Sequence, residues 1–447
     1  MRPPRATTRS PPASESILTT HDMTSAASRT GERPSALRDA SSLGSSARVV
    51  LGVSGGIAVY KAAELLRRFT EAGYDVTVVP TASALRFVGA PTWEALSGKA
   101  IATEVWENIT EVPHVRIGQQ ADLVVVAPAT ANTMARAAHG LADDLLTNVL
   151  LTARCPVVFA PAMHTEMWEH PATVDNVATL RRRGAVVIEP AEGRLTGKDT
   201  GKGRLPDPGE IFELCEAVLA RGGVTDLAGH TVVVSAGGTR EYLDPVRFLG
   251  NRSSGLQGYA IARAAAARGA EVTVVAANVT LPDPAGVKVI RVETTAQLHD
   301  EMLAAAPTAD AIVMAAAPAD FRPSSPSEAK IKKAADGSAP ALELVQNADI
   351  LAELSGHRAR PGQVVVGFAA ETGDATGSVL DLARAKLARK GCDLLVVNDV
   401  SGGAVFGSPE NAAVILSKDA ATDPVAVPQG AKSALAQVIV DHIAARL

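Results

Sequence analysis

Glycines and a serine that could bind a phosphate follow the first apolar run of the chain. Residues 53–61 read Val-Ser-Gly-Gly-Ile-Ala-Val-Tyr-Lys. Glycine permits a tight turn and a close approach of the backbone to a ligand, and the free N–H groups of a helix N-terminus favour an anion. We therefore predict that Gly55 and Gly56 bind a phosphate and that Ser54 adds a hydroxyl donor. Two glycines fit a plain strand-to-helix turn equally well, so the motif alone leaves both interpretations open.

Hydroxyl and amide side chains follow two further apolar runs. Thr81 and Ser83 come after the second run, where they could reach the same ligand. Thr130, Asn132 and Thr133 come after the third run and could hydrogen-bond a phosphate or the polar edge of a ring. Because threonine and asparagine are also favoured at helix N-caps, a purely structural role for this segment is the alternative.

Two histidines lie in segments with candidate chemistry. His114 stands in Val-Pro-His-Val-Arg-Ile, just before the apolar run at Asp122, and His164 stands in Pro-Ala-Met-His-Thr-Glu-Met-Trp. Imidazole titrates near neutral pH and can serve as a general acid or base. The chain has nine histidines, and a single one is more often structural than catalytic.

A second glycine turn opens the C-terminal half of the chain. Residues 234–241 read Val-Ser-Ala-Gly-Gly-Thr-Arg-Glu, and a polar stretch, 244–255, follows. A helix should begin near Leu256, and its N-terminus is a second candidate phosphate site. A long surface loop is the alternative interpretation of the polar stretch.

Lysines farther along the chain could bind a triphosphate. Lys386 and Lys390 are four residues apart, so they share one face of a predicted helix. Lys330 lies in the basic run Ala-Lys-Ile-Lys-Lys. Lysine acts toward phosphate as a point charge, although a solvated basic face is the more common meaning of such a pair.

The elements that must position these residues alternate between apolar strands and helices. Strands are predicted at 47–53, 75–79, 122–127, 156–160, 185–188, 231–235, 271–276, 311–315, 364–366, 394–397 and 412–417, and a closing helix at 431–447. Apolar strands that alternate with helices indicate parallel sheets covered on both faces. We therefore predict an α/β protein with two doubly wound, Rossmann-like domains, whose ligands bind at the carboxyl ends of the strands.

Composition bounds the domains and the partners. Residues 1–46 are rich in Ser, Thr, Pro, Ala and Arg, which predicts a disordered tail. Domains are then expected at 47–221 and 230–447, with a linker at 222–229. The formal charge of −5 does not favour nucleic acid as a partner, and no apolar run approaches the roughly 20 residues of a membrane helix. The three cysteines are far apart, so we expect neither a disulfide framework nor a metal cluster, and we expect a cytoplasmic location.

The N-terminal motifs together resemble the flavoprotein cysteine-decarboxylase family, from about Arg48 to Ala220. The resemblance implies a flavodoxin-like domain, FMN bound by the glycine turn and the segment around Thr130, and a catalytic His114. His164 stands where the family has an asparagine thought to bind the substrate carboxylate, and Thr196 stands at about the position of a proton-donating cysteine. Threonine is far too weak an acid to replace a thiol simply, so either another group donates the proton or the final reduction differs. The family builds trimers, which often assemble into dodecamers.

The C-terminal motifs resemble the phosphopantothenate–cysteine ligase family, from about Gly229 to Leu447. The resemblance implies that CTP with Mg²⁺ activates 4'-phosphopantothenate to an acyl-cytidylate, that L-cysteine then attacks, and that the ligase domains form dimers. It also assigns Asn251 to the acyl-cytidylate step. By the same resemblance, CTP contacts fall on Asp320, Lys330, Asn347, Ala348, Asp349, Ile350, Leu351, Phe368, Lys386 and Lys390.

Joined in this order, the two families are similar to the bifunctional bacterial enzymes of coenzyme A biosynthesis. The implied function is ligation, followed by FMN-dependent decarboxylation of 4'-phosphopantothenoylcysteine to 4'-phosphopantetheine, in a homo-oligomer. Three alternatives remain: a decarboxylase of peptide cysteines or another flavin-linked substrate, an FMN-binding regulator without catalysis, and a nicotinamide oxidoreductase. The attached ligase argues against the first, and neither glycine turn has the Gly-x-Gly-x-x-Gly fingerprint of the last.

Overall fold

The computed structural model describes residues 47–101, 113–195, 199–332, 341–371, 379–399, 410–419 and 421–447. The tail predicted at 1–46 lies outside these residues, and so does Thr196. Lys333 of the basic run also lies outside them.

Parallel strands form the N-terminal sheet: β1 (Arg48–Val53), β2 (Asp75–Pro80), β3 (Leu123–Ala129), β4 (Val157–Pro161) and β5 (Val186–Val187). Their order is β2-β1-β3-β4-β5, which is flavodoxin-like and switches direction between β1 and β3. The accompanying helices are α1 (Val59–Glu71), α2 (Ala90–Ser97), α3 (Pro113–Gln120), α4 (Ala131–His139), α5 (Leu145–Thr152), α6 (Thr165–Trp168), α7 (Pro171–Arg182) and α8 (Pro208–Ala220). Every residue of β3 is buried, as expected for a central strand covered on both faces.

A small antiparallel hairpin lies beside the segment that follows β4. Its strands are β6 (Ala191–Arg194) and β7 (Thr200–Arg204). The Met163 amide donates to the carbonyl oxygen of Gly203 at 2.9 Å. A Cβ at Gly203 would lie 2.1 Å from the Met163 carbonyl oxygen, so this contact requires glycine.

A larger mixed sheet, the C-terminal sheet, follows. Its parallel strands are β8 (Thr231–Gly237), β11 (Glu271–Ala277), β12 (Val287–Val292), β13 (Ala311–Met314), β16 (Val364–Glu371) and β17 (Leu394–Asp399). Two antiparallel strands, β18 (Glu410–Ser417) and β19 (Val425–Ala431), extend it. The order is β12-β11-β8-β13-β16-β17-β18-β19. Its parallel part has the strand order of a dinucleotide-binding sheet, with the switch between β8 and β13.

Helices and two hairpins surround the C-terminal sheet. The helices are α9 (Leu256–Ala267), α10 (Thr295–Ala305), α11 (Ile350–Gly356), α12 (Val379–Lys390) and α13 (Lys432–Ala444). The hairpins are β9 (Arg240–Tyr242) with β10 (Phe248–Gly250), and β14 (Phe321–Pro323) with β15 (Leu344–Gln346). Among the described residues, no helix is both long enough and apolar enough to cross a membrane.

The predicted fold class, two doubly wound α/β sheets, is confirmed. Strand β12 is not among the predicted strands, because its residues at the sheet edge are mostly half-exposed. The prediction also missed β19 and the three hairpins, whose strands are short or exposed. The strand predicted at 364–366 continues to Glu371, because its backbone stays paired with β17 from Val366 to Glu371.

The two halves of the chain pack against each other through α8 and α9. Apolar side chains of α8, such as Leu214, belong to the same buried cluster as those of α9, such as Tyr259. Arg263 donates to the buried carboxylate of Glu210 at 2.9 and 3.0 Å. The packing therefore combines a shared apolar core with a charged contact.

The segment predicted as a linker, 222–229, is itself packed. Leu227 is fully buried. Asp226 accepts from the Nε of Arg268 at 2.7 Å, and Arg268 also donates to Asp441 at 2.8 Å. Because Arg268 is only 2% exposed, this segment completes the surroundings of a buried charge in the C-terminal half.

Candidate active sites

Two hydrogen bonds of one serine side chain join the loop after β1 to the end of β3. The hydroxyl of Ser54 donates to the Pro128 carbonyl oxygen at 2.6 Å and accepts from the Thr130 amide at 2.9 Å. Ser54 is 1% exposed. Its hydroxyl hydrogen is already used within the protein, so Ser54 holds the turn together and does not offer the free donor that its position in the motif suggested.

The glycine turn after β1 is shaped by a close approach to the loop after β2. A Cβ at Gly55 would lie 2.4 Å from the Cβ of Ser83, which no residue other than glycine could accommodate without a shift. At Gly56 the nearest atom to such a Cβ is Thr130 Cγ2, at 3.9 Å. The N-cap of α1, Ala58, makes no side-chain capping bond. The Val59 and Lys61 amides donate to the Gly56 and Ala58 carbonyl oxygens at 3.0 Å. The glycine turn, together with the positive end of the helix dipole, is therefore what suits an anion here.

The other predicted flavin-binding side chains lie at the same sheet edge, and most bond locally. Thr130 is the N-cap of α4 and accepts from the Thr133 amide at 3.3 Å. Thr81 accepts from the Ala84 amide at 3.2 Å. Asn132 is exposed. Thr130 therefore acts as a helix N-cap in this structure, and an N-cap leaves room for a ligand at the start of the same helix.

The two candidate histidines occupy different surroundings. His114 lies in α3, where its carbonyl oxygen accepts from Thr152 of α5 at 2.9 Å. Its Nδ1 is buried and has no hydrogen-bond partner within the described part of the chain. His164 is the N-cap residue of α6, makes no capping bond, and adjoins the hairpin residue Gly203. No hydrogen bond between described residues joins either histidine to the glycine turn.

A cleft of about 700 Å³ opens at the carboxyl ends of β8, β13, β16 and β17. It lies at the second switch in strand order, where doubly wound sheets bind ligands. The structure brings together most of the residues predicted for the ligase site. Those that line the cleft are Asn251, Asp320, Asn347, Ala348, Asp349, Ile350, Leu351, Phe368, Lys386 and Lys390.

Hydrogen bonds between motifs build the floor of the cleft. Asn251 Nδ2 donates to the Pro318 carbonyl oxygen at 2.8 Å. Asn347 Nδ2 donates to the Ala319 carbonyl oxygen at 2.9 Å, and its Oδ1 accepts from Arg322 at 2.9 Å. Asn347 therefore connects the segment before α11 to residues 319–323, Ala-Asp-Phe-Arg-Pro. This connection fixes the shape of the site.

One predicted phosphate-binding lysine is already paired. Lys390 at the end of α12 forms an ion pair with Asp349, the N-cap of α11. Burial works against ionisation here, but the hydrogen bonds from Lys390 and from the Ala352 amide hold the pKa of Asp349 below its usual value. The Lys390 charge is thus partly neutralised in this structure, and a phosphate would compete with Asp349 for it.

Lys330 does not line the cleft. It is exposed, and it belongs to a segment that is hydrogen-bonded to residues 244–247, Asp-Pro-Val-Arg. The buried Asp244 carboxylate accepts from the Ile331 amide at 3.1 Å and from Arg247 Nε at 2.9 Å. The hydrogen bond from Arg247 lowers the pKa of Asp244 well below its ordinary value. This motif is therefore a scaffold that fixes where the Lys330 segment starts.

The cleft also contains residues that no motif indicated. They are Gln257, Arg389, Asn398, Asn411 and Lys432. Gln257 and Lys432 come from the first turns of α9 and α13, and Asn411 from an antiparallel strand. Only the pairing of these distant elements places them together, and no residue spacing could have found them.

Comparison with known proteins assigns both halves. Residues 38–220 match the family described as Flavoprotein, and residues 227–447 match the DNA/pantothenate metabolism flavoprotein C-terminal domain. The coenzyme A biosynthesis bifunctional protein CoaBC of Mycobacterium tuberculosis strain H37Rv is 59% identical over 404 residues, covering 89% of this chain and 96% of that relative. The chain belongs to the CoaBC family.

Other CoaBC proteins agree over similar spans. The relative from Mycolicibacterium smegmatis is 59% identical over 408 residues, covering 90% of this chain and 98% of its own length. The Bacillus subtilis relative is 43% identical over 375 residues, covering 83% and 90%. The chain is therefore a bifunctional enzyme of coenzyme A biosynthesis, with a flavoprotein decarboxylase half and a ligase half. The predicted enzyme class is confirmed, and the regulator and nicotinamide oxidoreductase alternatives are set aside.

Proposed function

We propose that the C-terminal half joins 4'-phosphopantothenate to L-cysteine at the expense of CTP, and that the N-terminal half decarboxylates the product with FMN. The observation that carries the proposal is the convergence of the predicted ligase residues in one cleft, from segments spread between Asn251 and Lys390. Membership of the CoaBC family supports it. The proposed boundaries remain 47–221 and 230–447.

FMN fits the β1/β3 switch. The turn at Gly55 and Gly56 brings the backbone to the uncapped start of α1, which suits a phosphate. Ser54 and Thr130 hold the two loops at a fixed separation, and Thr81, Ser83, Asn132 and Thr133 complete the proposed set at that edge. When bound, FMN would supply the electron-accepting chemistry that an acylated cysteine lacks.

We assign proton handling in the N-terminal half to His114. Its Nδ1 is buried without a partner among described residues, so a substrate group could supply the missing hydrogen bond. His164 would bind the substrate carboxylate through an imidazole N–H, in place of the asparagine of related decarboxylases. Thr196 is the remaining candidate from the sequence, and it lies outside the described residues.

Phosphate binding in the ligase half is proposed for Lys386 and Lys390, with Lys330 reaching in from the scaffolded segment. Within the described residues, no group of three or more His, Cys, Asp and Glu side chains could hold a metal. A Mg²⁺ ion would therefore be held mainly by the phosphates of CTP, as is usual for this ion. Asn251, fixed by Pro318, would orient the acyl group during activation.

Assembly and location complete the proposal. We propose a homo-oligomer in which decarboxylase domains form trimers that assemble into a dodecamer, and ligase domains form dimers. The proposed location is the cytoplasm. Small molecules are the proposed partners, without nucleic acid or membrane.

The decisive experiment supplies the purified protein with 4'-phosphopantothenate, L-cysteine, CTP and Mg²⁺ and follows the products by mass spectrometry. We expect 4'-phosphopantothenoylcysteine first, then 4'-phosphopantetheine. His114→Asn should retain flavin and lose the second product, whereas the exposed His139→Asn should behave as wild type. Asn251→Ala should lose the first product and leave decarboxylation of added intermediate intact. Failure of the wild-type protein to make either product would refute the corresponding assignment.

A further inference from the structure

Two buried amide oxygens without partners line one wall of the cleft. Asn411 is only 2% exposed, and its Oδ1 has no hydrogen-bond partner in the described chain, although its Nδ2 donates to Asn398 at 3.2 Å. The Oε1 of Gln257 is likewise buried and unpartnered among the described residues. Both residues border the cleft. Native proteins rarely leave such acceptors unsatisfied, so a bound molecule that donates hydrogen bonds would explain them.

A lysine of the same wall supplies a positive charge. Lys432 begins α13 and borders the cleft, and its carbonyl oxygen accepts from Gln257 Nε2 at 3.3 Å. No carboxylate of the described residues forms an ion pair with Lys432, in contrast to the pairing of Lys390 with Asp349. Burial lowers the pKa of Lys432, so an anionic partner would stabilise its charged form.

This wall lies across the sheet from the proposed nucleotide residues. Helices α9 and α13, which carry Gln257 and Lys432, share one buried cluster that includes Tyr259 and Leu435. Helices α11 and α12 belong to another cluster, on the opposite face of the sheet. The cleft thus has two chemically different sides, and the side with the amides lies away from Asp349 and Lys390.

We propose that Asn411, Gln257 and Lys432 form the binding site for the amino-acid substrate, L-cysteine, of the proposed ligase reaction. The Lys432 ammonium binds the α-carboxylate, and the amide oxygens of Asn411 and Gln257 accept from the α-amino group. A phosphate has no hydrogen to donate to these oxygens, and an uncharged base would leave Lys432 without an anion. A zwitterionic amino acid satisfies both requirements.

The neutral character of the two acceptors suits a nucleophilic amine. A carboxylate beside the amino group would stabilise the ammonium form, which cannot attack an acyl group. Uncharged amide oxygens favour the ammonium form less than a carboxylate would, and the nearby Lys432 charge favours the free amine. The wall therefore positions the amine without holding its proton.

The test separates the two halves of the ligase reaction in the full-length protein. CTP–pyrophosphate exchange with 4'-phosphopantothenate and no cysteine reports activation, and the KM for L-cysteine reports the second half. We expect Lys432→Gln and Asn411→Leu each to raise the KM for L-cysteine about tenfold or more while exchange stays within about twofold of wild type, a loss of about 1.4 kcal/mol in binding. Lys432→Arg should recover part of the affinity. Lys288→Gln, an exposed lysine on the far edge strand, is the matched control.

Other results would overturn the proposal. A raised KM for CTP with an unchanged KM for cysteine would assign the wall to the nucleotide. An unchanged KM for L-cysteine in both Lys432→Gln and Asn411→Leu would make this wall purely structural. Calorimetric titration of L-cysteine into wild type and Lys432→Gln separates this inference from the ligase proposal. If CTP–pyrophosphate exchange fails, but L-cysteine binds to wild type and binds more weakly to Lys432→Gln, the reaction assignment is wrong and the amino-acid site is retained. Absence of cysteine binding alongside intact exchange refutes the site itself.

Discussion

The glycine turn of the N-terminal sheet and the cleft of the C-terminal sheet both lie at a switch in strand order. They differ in whether their buried polar side-chain atoms have hydrogen-bond partners within the protein. At the turn, Ser54 bonds to Pro128 and Thr130, so its side chain is satisfied before any ligand arrives. In the cleft, the Asn411 and Gln257 amide oxygens stay unpartnered within the described chain. The turn therefore offers a ligand its backbone and its shape, whereas the cleft offers side-chain chemistry.

This difference implies different sensitivities to substitution. A site made of backbone should fail when a side chain is added, because the added atoms fill the space that the ligand or a neighbouring loop requires. A site made of side chains should fail when hydrogen-bonding capacity is removed at constant size. Two substitutions test this contrast, and two more test ionic contacts elsewhere in the chain.

The largest effect is expected at the turn. Gly55→Val would place its Cβ 2.4 Å from the Ser83 Cβ, and overpacking of this kind should weaken flavin binding about 10–100-fold. Flavin fluorescence titration measures it, and ligation serves as an internal control. Gly56→Ala meets no atom closer than 3.9 Å, so it should fold normally and report only on contact with the ligand. Undiminished flavin affinity in Gly55→Val would break the comparison.

The next effect concerns the opposite wall of the cleft. Lys390→Met removes the charge that now pairs with Asp349, and we expect the KM for CTP to rise about tenfold, the loss of one charge-assisted hydrogen bond. The KM for L-cysteine should not change. Steady-state kinetics at saturating co-substrates checks both values. If cysteine rather than CTP were affected, the division of the cleft into two walls would be wrong.

A third substitution tests the buried charge that the segment 222–229 helps to surround. Arg268→Met leaves Asp226 and Asp441 without their shared buried partner. We expect the free energy of unfolding to fall by about 2 kcal/mol, below the range for fully buried pairs because both aspartates reach water. Urea denaturation measures the change. Arg291→Met, which breaks the exposed pair with Asp283, should cost about 0.5 kcal/mol or less, and equal losses would contradict the assignment.

The smallest effect is a dependence on pH. His299 of α10 contacts Glu353 of α11 at 2.9 Å, and this hydrogen bond raises the pKa of His299 above 6.5. Its stabilising contribution should be complete below the unfolded pKa and disappear as pH rises through the folded pKa. The melting temperature of wild type should therefore exceed that of His299→Gln in mild acid and match it in mild alkali. A difference that grows with pH would contradict this sign.

Sequence reasoning found the strand ends because apolar runs followed by polar or glycine residues are local signals. The resemblance to the ligase family, rather than such signals, predicts roles for Asn251, Asp349 and Lys386, and the structure brings these residues to one cleft. The sequence could not show which of these side chains already have a hydrogen-bond or ion-pair partner within the protein. Ser54 is occupied by Pro128, and Lys390 is paired with a residue 41 positions away.

The amide wall escaped prediction for a different reason. Asn411 belongs to β18, which joins the sheet through antiparallel pairing and places Asn411 opposite Gly430. Lys432 begins the helix that follows β19. That register cannot be read from periodicity, which is equal for parallel and antiparallel strands. Likewise, Gln257 sits in a helix start where only the anion-binding backbone was considered. Tertiary pairing, not local pattern, decides which amides face a ligand.

The packed segment at 222–229 bears on how the chain could be divided for study. A recombinant ligase fragment that begins at His230 would lack Leu227, which is fully buried and whose amide donates to the Arg268 carbonyl oxygen at 3.1 Å. It would also lack Asp226, leaving Arg268 with Asp441 as its described carboxylate partner. A fragment that begins at or before Gly222 keeps both, and should be the more soluble and more heat-resistant of the two.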